Sequence, residues 1–249
     1  MPFDFKKEYV KIKCFWEHNG DDTLLYSVDY LGAYTRGSSL ETAKAKMPNE
    51  ILSFTSWSGQ SFDQTDISIE ITEEKLSDLK ICDADSDAIF DCEKLPMTRE
   101  EYLSLKNLAL KSANDFLTLY VSIPNKEISC MPERETFYGA VPRTAQEMYE
   151  HTKNVNSYYF GEIDVDCNND GDIFSCRKRG FDLLERKADF LQNVPVEGSY
   201  GEIWSLKKVL RRFIWHDRIH AKAMYRMAVK TFGADSVPDV FYFKNLLRN

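Results

Sequence analysis

Residues 8–18, EYVKIKCFWEH, alternate polar and apolar side chains, the period of a strand with one covered face. A Gly-Asp-Asp turn follows, and TLLYSVDYL (23–31) takes up the alternation again. After GAYTRG, Ser38 or Ser39 stands where a helix cap is needed. Leu40, Ala43, Met47 and Ile51 then fall on one side of a helix, and Pro48 is expected to end or kink it. DISIEIT (66–72) alternates once more, which predicts a small β-β-α-β unit. The stretch ICDADSDAIFDCEKLPM (81–97) is acidic, lacks helical period and reads as a linker finishing near Pro96.

From Thr98 the period changes to that of long helices. TREEYLSLKNLALKSANDFLTLY opens on a capping box, Thr98 with Glu101, and its Leu103, Leu110 and Leu117 predict a buried stripe with Ala113 and Phe116. A connection over 122–142, broken by Pro124, Pro132 and Pro142, is placed to roof a site or to cross the helices. A second box, Thr144 with Glu147, starts AQEMYEHTKNVNSYYFGEI. An Asp/Asn-rich turn precedes DIFSCRKRGFDLLERKADFLQN, and the last helix is predicted from about Glu202 to Phe232 with Gly233 as its stop. The expected fold is α+β in two domains: residues 1–96, and a four-helix bundle over 97–249 with at least one long crossover.

Charge sharpens that division. Up to Met97 there are 10 basic and 19 acidic residues, a net −9, while the other 22 basic and 21 acidic residues give +1. Neither part attracts nucleic acid by bulk charge. No window reaches the roughly 20 apolar residues of a membrane span. The charged start, MPFDFKKEYVKIK, offers no apolar signal-peptide core, and the six cysteines form no CxxC pair. A cytoplasmic protein with reduced, mostly structural thiols is expected.

The candidate chemistry lies in FIWHDRIHAKAMYR (213–226). His216 and His220 sit one turn apart on the face that carries Val209, Phe213, Ala223 and Met227. His151, on the second helix of the bundle, shares its face with Met148, Val155 and Tyr158. Three imidazoles from two facing helices can meet at one transition-metal ion. The competing reading is three core histidines, each satisfied by a hydrogen bond, and spacing alone leaves both open. Glu147, Tyr158 and Arg212 fall near the same faces and are the candidate catalytic or substrate-contacting residues.

HDRIH on a last long helix, with one earlier histidine on the second, resembles the DinB/YfiT-like family of bacterial four-helix proteins over about residues 98–249. The resemblance implies a divalent metal (zinc, nickel or iron) held by His151, His216 and His220. It also implies a thiol-dependent transferase or isomerase that uses a low-molecular-weight thiol and a small-molecule substrate, with a homodimer as one form. A metal-dependent hydrolase and a non-catalytic metal-binding or protein-interaction module are the alternatives. LLYSVDYLGAYTRGSSLETAKAKMPNEI is similar to the strand-helix core of HicB-like domains. No DNA-binding extension accompanies it, so a scaffold or interface domain is expected there.

Other signals carry less. DCNNDGDIFSCR places Asp166, Asn168, Asp170 and Gly171 as in half a calcium loop, but its twelfth position is Arg177 where a carboxylate is needed. Asp217 stands where a zinc protease has its glutamate, one methylene short and turned about 100° from His216. Lys207, Arg211, Arg218, Lys222 and Arg226 form a stripe expected to be a solvated helix face, and His18 is expected in an exposed turn.

Overall fold

The computed structural model describes residues 10–60, 62, 66–136 and 139–246. It is α+β, with five helices and a mixed four-stranded sheet, and divides into two compact units, Met1–Ala88 and Ile89–Asn249. Among the described residues no helix is long and apolar enough to cross a membrane.

In the first unit β1 (Val10–His18) pairs antiparallel with β2 (Thr23–Ser27) across a turn in which Asn19 Oδ1 accepts from the amides of Asp21 and Asp22. β3 (Tyr34–Gly37) adds to β2, and β4 (Ile67–Leu76) lies parallel to β1, giving the order β3-β2-β1-β4. The order is thus β-β-β-α-β. β3 escaped the sequence reading because four residues, YTRG, are too short to show a period. Helix α1 (Leu40–Ser58) is capped by Ser39, whose side chain accepts from the Thr42 amide. Pro48 neither ends it nor falls late in it: the helix runs ten residues further. Burial of Met47 and Ile51 against the sheet outweighs the one backbone bond that proline removes. His18 is also not in a turn. It ends β1, stacks on Trp16 with ring centroids 3.9 Å apart, and meets Glu74 at 3.1 Å.

One acid in this unit is out of the ordinary. Glu17 is fully buried, accepts from Ser86 Oγ at 2.5 Å, and lies beside Asp87. Burial raises its pKa from the usual 4.5 to about 7; the Ser86 bond opposes the rise and the Asp87 charge adds to it. A folded-state value above the unfolded one stabilises the fold in acid. That contribution is lost as pH climbs from the usual carboxyl range through about 7, for a total of about 3 kcal/mol. Asp87 is held below its ordinary range: burial works against this, and Lys75 outweighs it, so Asp87 does not titrate in that window. Glu17→Gln is therefore expected to match wild type near pH 5 and to gain on it steadily toward pH 8. Thermal unfolding across that range checks this, and a constant difference would contradict it.

The second unit is built from four helices: α2 (Arg99–Ser122), α3 (Ala145–Gly161), α4 (Ile173–Leu184) and α5 (Leu206–Phe232). α2 packs on α5 and α4, and α3 packs on the same two, so the four surround one core. Phe160, Phe181 and Phe213 meet there at 5.1–6.2 Å. Gly180 lets α4 close on α3, since a Cβ at that position would fall 2.0 Å from the Phe160 ring. Thr98, Thr144, Asp172 and Ser205 cap the four helices through their side chains. α4 ends at Leu184 and α5 begins at Leu206. The predicted extensions instead hold a 3-10 turn at Phe190–Gln192 and a hairpin of β7 (Val196–Glu197) with β8 (Ile203–Trp204). The earlier connection carries a shorter hairpin, β5 (Glu135–Thr136) with β6 (Gly139–Ala140).

Two expectations about helix faces are corrected. Leu103 is 39% exposed, and the covered side of α2 runs through Tyr102, Ala109, Ser112, Ala113, Phe116 and Leu119. The basic stripe of α5 is not a solvated face. Every residue from Leu206 to Arg218 is buried, Lys207 pairs with Glu101 at 2.7 Å, Arg211 pairs with Glu93, and the Arg218 guanidinium stacks 5.1 Å from Phe243. Of the five, Arg226 is exposed and Lys222 half-buried. None of the six cysteines is in a disulfide. Burial pushes the Cys14 thiol up to about 12 and Cys167 to about 11, which keeps both inert as nucleophiles.

Candidate metal centre

Helix periodicity puts His216 and His220 on one side of α5, and that side faces α3. The ring centroids lie 4.5 Å apart for His216–His220, 4.6 Å for His151–His220 and 5.2 Å for His151–His216. One nitrogen from each ring lies within 4.8 Å of the other two. The three form a graded set: His216 buried, His220 half-buried and His151 exposed. His151 is therefore not on the covered face where its periodicity placed it. It stands at the flank of α3, where the cluster opens to solvent.

The electrostatics favour lone pairs over protons. Burial first, then the neighbouring His220 and His151, hold His216 well below the ordinary imidazole range. Burial and His151 bring His220 down to about 3, and the packing of the partly exposed His151 ring against the other two strips enough water from it to lower its pKa as well. All three are neutral at physiological pH and can bind a cation without first releasing a proton. His216 Nδ1 is buried with no hydrogen-bond partner among the described residues, an expensive condition for a polar atom. An ion held there would give that nitrogen a partner. Two ligands at about 2.1 Å from one tetrahedral ion sit about 3.4 Å apart. The 4.8 Å span therefore closes with a movement on the order of an ångström, and exposed His151 has the freedom to make it. The residues fit a transition-metal ion with an all-imidazole ligand set.

The candidate catalytic residues are distributed around this cluster. Glu147 serves the helix cap: its carboxylate accepts from the amides of Thr144 at 3.0 Å and Arg143 at 2.8 Å, and those bonds hold its pKa below the usual range. Tyr158 is 38% exposed and packs edge-on against Trp204, while burial, Glu162 and Glu202 push its hydroxyl pKa up. The next residue, Tyr159, touches His216, with centroids 6.0 Å apart. Arg212 does lie one turn before His216. Its guanidinium is 5.5 Å from Tyr159, 5.3 Å from Trp204 and 5.0 Å from Trp215, and it meets Glu202 at 3.6 Å. Tyr159 thus packs on the buried end of the cluster, with Trp204 and Arg212 packed against Tyr159 in turn. The sequence signal for Tyr159 was its place on the true buried face, Met148, Thr152, Asn156 and Tyr159, a face disguised by two polar residues.

The rejected motifs resolve structurally. Asp217 points away from the imidazoles into a buried pair with Arg177. In the acidic turn, Asn168 and Asp170 give their oxygens to the Arg179 guanidinium, and Asp172 caps α4. The 122–142 connection reaches α5 near its end, where the Cys130 amide donates to Thr231 Oγ1 at 3.2 Å, roughly 16 Å along the axis from His220.

Comparisons of the chain with protein-family models, with curated proteins and with solved structures return no match.

Proposed function

We propose that the chain is a divalent-metal-dependent enzyme of the DinB type, its second unit a four-helix bundle that holds zinc, nickel or iron through His151, His216 and His220. The observation that carries this reading is the convergence of three neutral imidazoles from α3 and α5, with no carboxylate among them. The reaction we favour is S-transfer, in which the thiolate sulfur of a low-molecular-weight thiol bonds to a small electrophile, the electrophile's leaving group departs with the bonding pair, and the thiol proton passes to solvent. When bound, the ion supplies the positive charge that keeps a thiol as thiolate or brings water to a pKa near 7. The chain's own part is to orient and to exclude. Three neutral ligands leave the charge of the site undiminished. Trp204 and Tyr159 keep water from the buried side, and exposed His151 marks the side from which substrate enters.

Protein purified without a histidine tag is expected to carry a transition metal by elemental analysis, near one per chain, or to gain thermal stability on adding Zn²⁺, Ni²⁺ or Fe²⁺. A chain that does neither is not this enzyme. With a thiol and a generic electrophile, wild type is expected to outpace His216→Ala by at least about 100-fold. Equal rates would leave a binding site without catalysis.

A further inference from the structure

Arg177, on α4, is fully buried and reaches each of the other three helices of its unit. Nε donates to Asn156 Oδ1 on α3 at 3.0 Å, and Nη1 donates to the Ala109 carbonyl on α2 at 3.1 Å. Nη1 and Nη2 grip the two carboxylate oxygens of Asp217 on α5, the second at 3.0 Å. The Phe213 ring lies 4.2 Å from the guanidinium carbon, and Asn156 is itself fixed by donating to the Lys153 carbonyl at 2.6 Å. Asp217 directly follows His216, and Asn156 is five residues beyond His151. One side chain therefore ties α3 to α5 beside His216 on α5 and about 7.5 Å along α3 from His151.

Stability alone is a weak reason for such a tie. Well-packed apolar residues of similar volume usually do as well as a buried ion pair, because removing two charges from water is costly. What a guanidinium adds is direction: five donors in a rigid plane fix the acceptors that surround them. A metal site needs that kind of precision, since ligand distances tolerate only about 0.2 Å. We propose that Arg177, with Asp217 and Asn156, is the positioning device that sets α3 against α5 so that His151 meets His216 and His220. This rests on the metal reading given above.

The probe is cobalt(II), titrated by its visible absorption, alongside thermal unfolding of the metal-free protein. The double variant Arg177→Met with Asp217→Leu replaces the pair by apolar side chains. Asn156→Leu leaves the pair intact and cuts only the tie to α3. Without metal the double variant is expected to unfold within a few degrees of wild type, and Asn156→Leu lower, though still cooperatively, because Arg177 Nε loses its acceptor. Their cobalt Kd is expected to rise by about 10- to 100-fold, with an altered visible band. If wild type binds cobalt and both variants bind it with the same Kd and spectrum, Arg177 is a structural residue and the positioning claim is overturned. Should the double variant not fold, Asn156→Leu decides alone by the same two readouts. A wild type that takes up no cobalt defeats the metal reading itself, and the proposal with it.

Discussion

His220→Ala is expected to weaken zinc or nickel binding by on the order of 100-fold or more, a larger loss than the 10- to 100-fold that follows from removing a partner that merely supports a ligand. His220 sits within 4.6 Å of both other rings, centroid to centroid, so its loss leaves His151 and His216 as two ligands on different helices, 5.2 Å apart. Those two must then close the widest of the three gaps with no one-turn pair to anchor the ion. His151→Ala is expected to do less damage, because that position is open to solvent and water can take the vacated place. Isothermal titration of both variants checks the order. The metal-free proteins should unfold near the wild-type temperature, which separates loss of a ligand from loss of the fold. Full-affinity binding by His220→Ala would mean the ion lies elsewhere.

The site was legible in the sequence to the extent that it is helical arithmetic. His216 and His220 are one turn apart whatever surrounds them, and Thr144 marks where the helix of His151 begins, whereas α5 was expected from about Glu202 and starts after the Ser205 cap. The surroundings were not legible, for a physical reason that recurs on two helices. On α2 the leucines at 103, 110 and 117 suggested one face, while the covered one, a residue earlier, carries Ala109 and Ser112. On α3 the face through His151 and Tyr158 was favoured, while the covered one carries Thr152 and Asn156. In both cases polar or small residues occupy the seam, because that is where Arg177 and Asp217 are buried. Periodicity assumes an apolar interior, and it fails where the interior holds a charge network. The same holds for the basic residues of α5. Lys207 and Arg211 read as solvated because their partners, Glu101 and Glu93, come from more than a hundred residues away, and no local pattern announces them.

Arg211 is the clearest measure of what that hidden network contributes. Its guanidinium is fully buried, lies 4.2 Å from the Phe90 ring, and donates from Nε and Nη2 to the two oxygens of Glu93, which is also fully buried. Glu93 in turn accepts from the Phe90 amide at 2.9 Å, and its carbonyl takes hydrogen bonds from Asn193 and from Ser205, the cap of α5. From Ile89 onward the segment first read as an acidic linker is therefore part of the second unit, bonded to the start of its longest helix, while residues 81–88 belong to the first. Glu93→Ala removes the anion and leaves a cation inside the protein, so a loss of about 3–5 kcal/mol is expected, enough to threaten folding altogether. Replacing both members, Glu93→Leu with Arg211→Met, removes charge along with its partner and is expected to recover most of that loss. Urea unfolding followed by tryptophan fluorescence reads the comparison, since Trp204 and Trp215 report on this unit. If the single variant were as stable as the double, the buried pair would not hold the start of α5, and the helix carrying two of the three histidines would owe its position to packing alone.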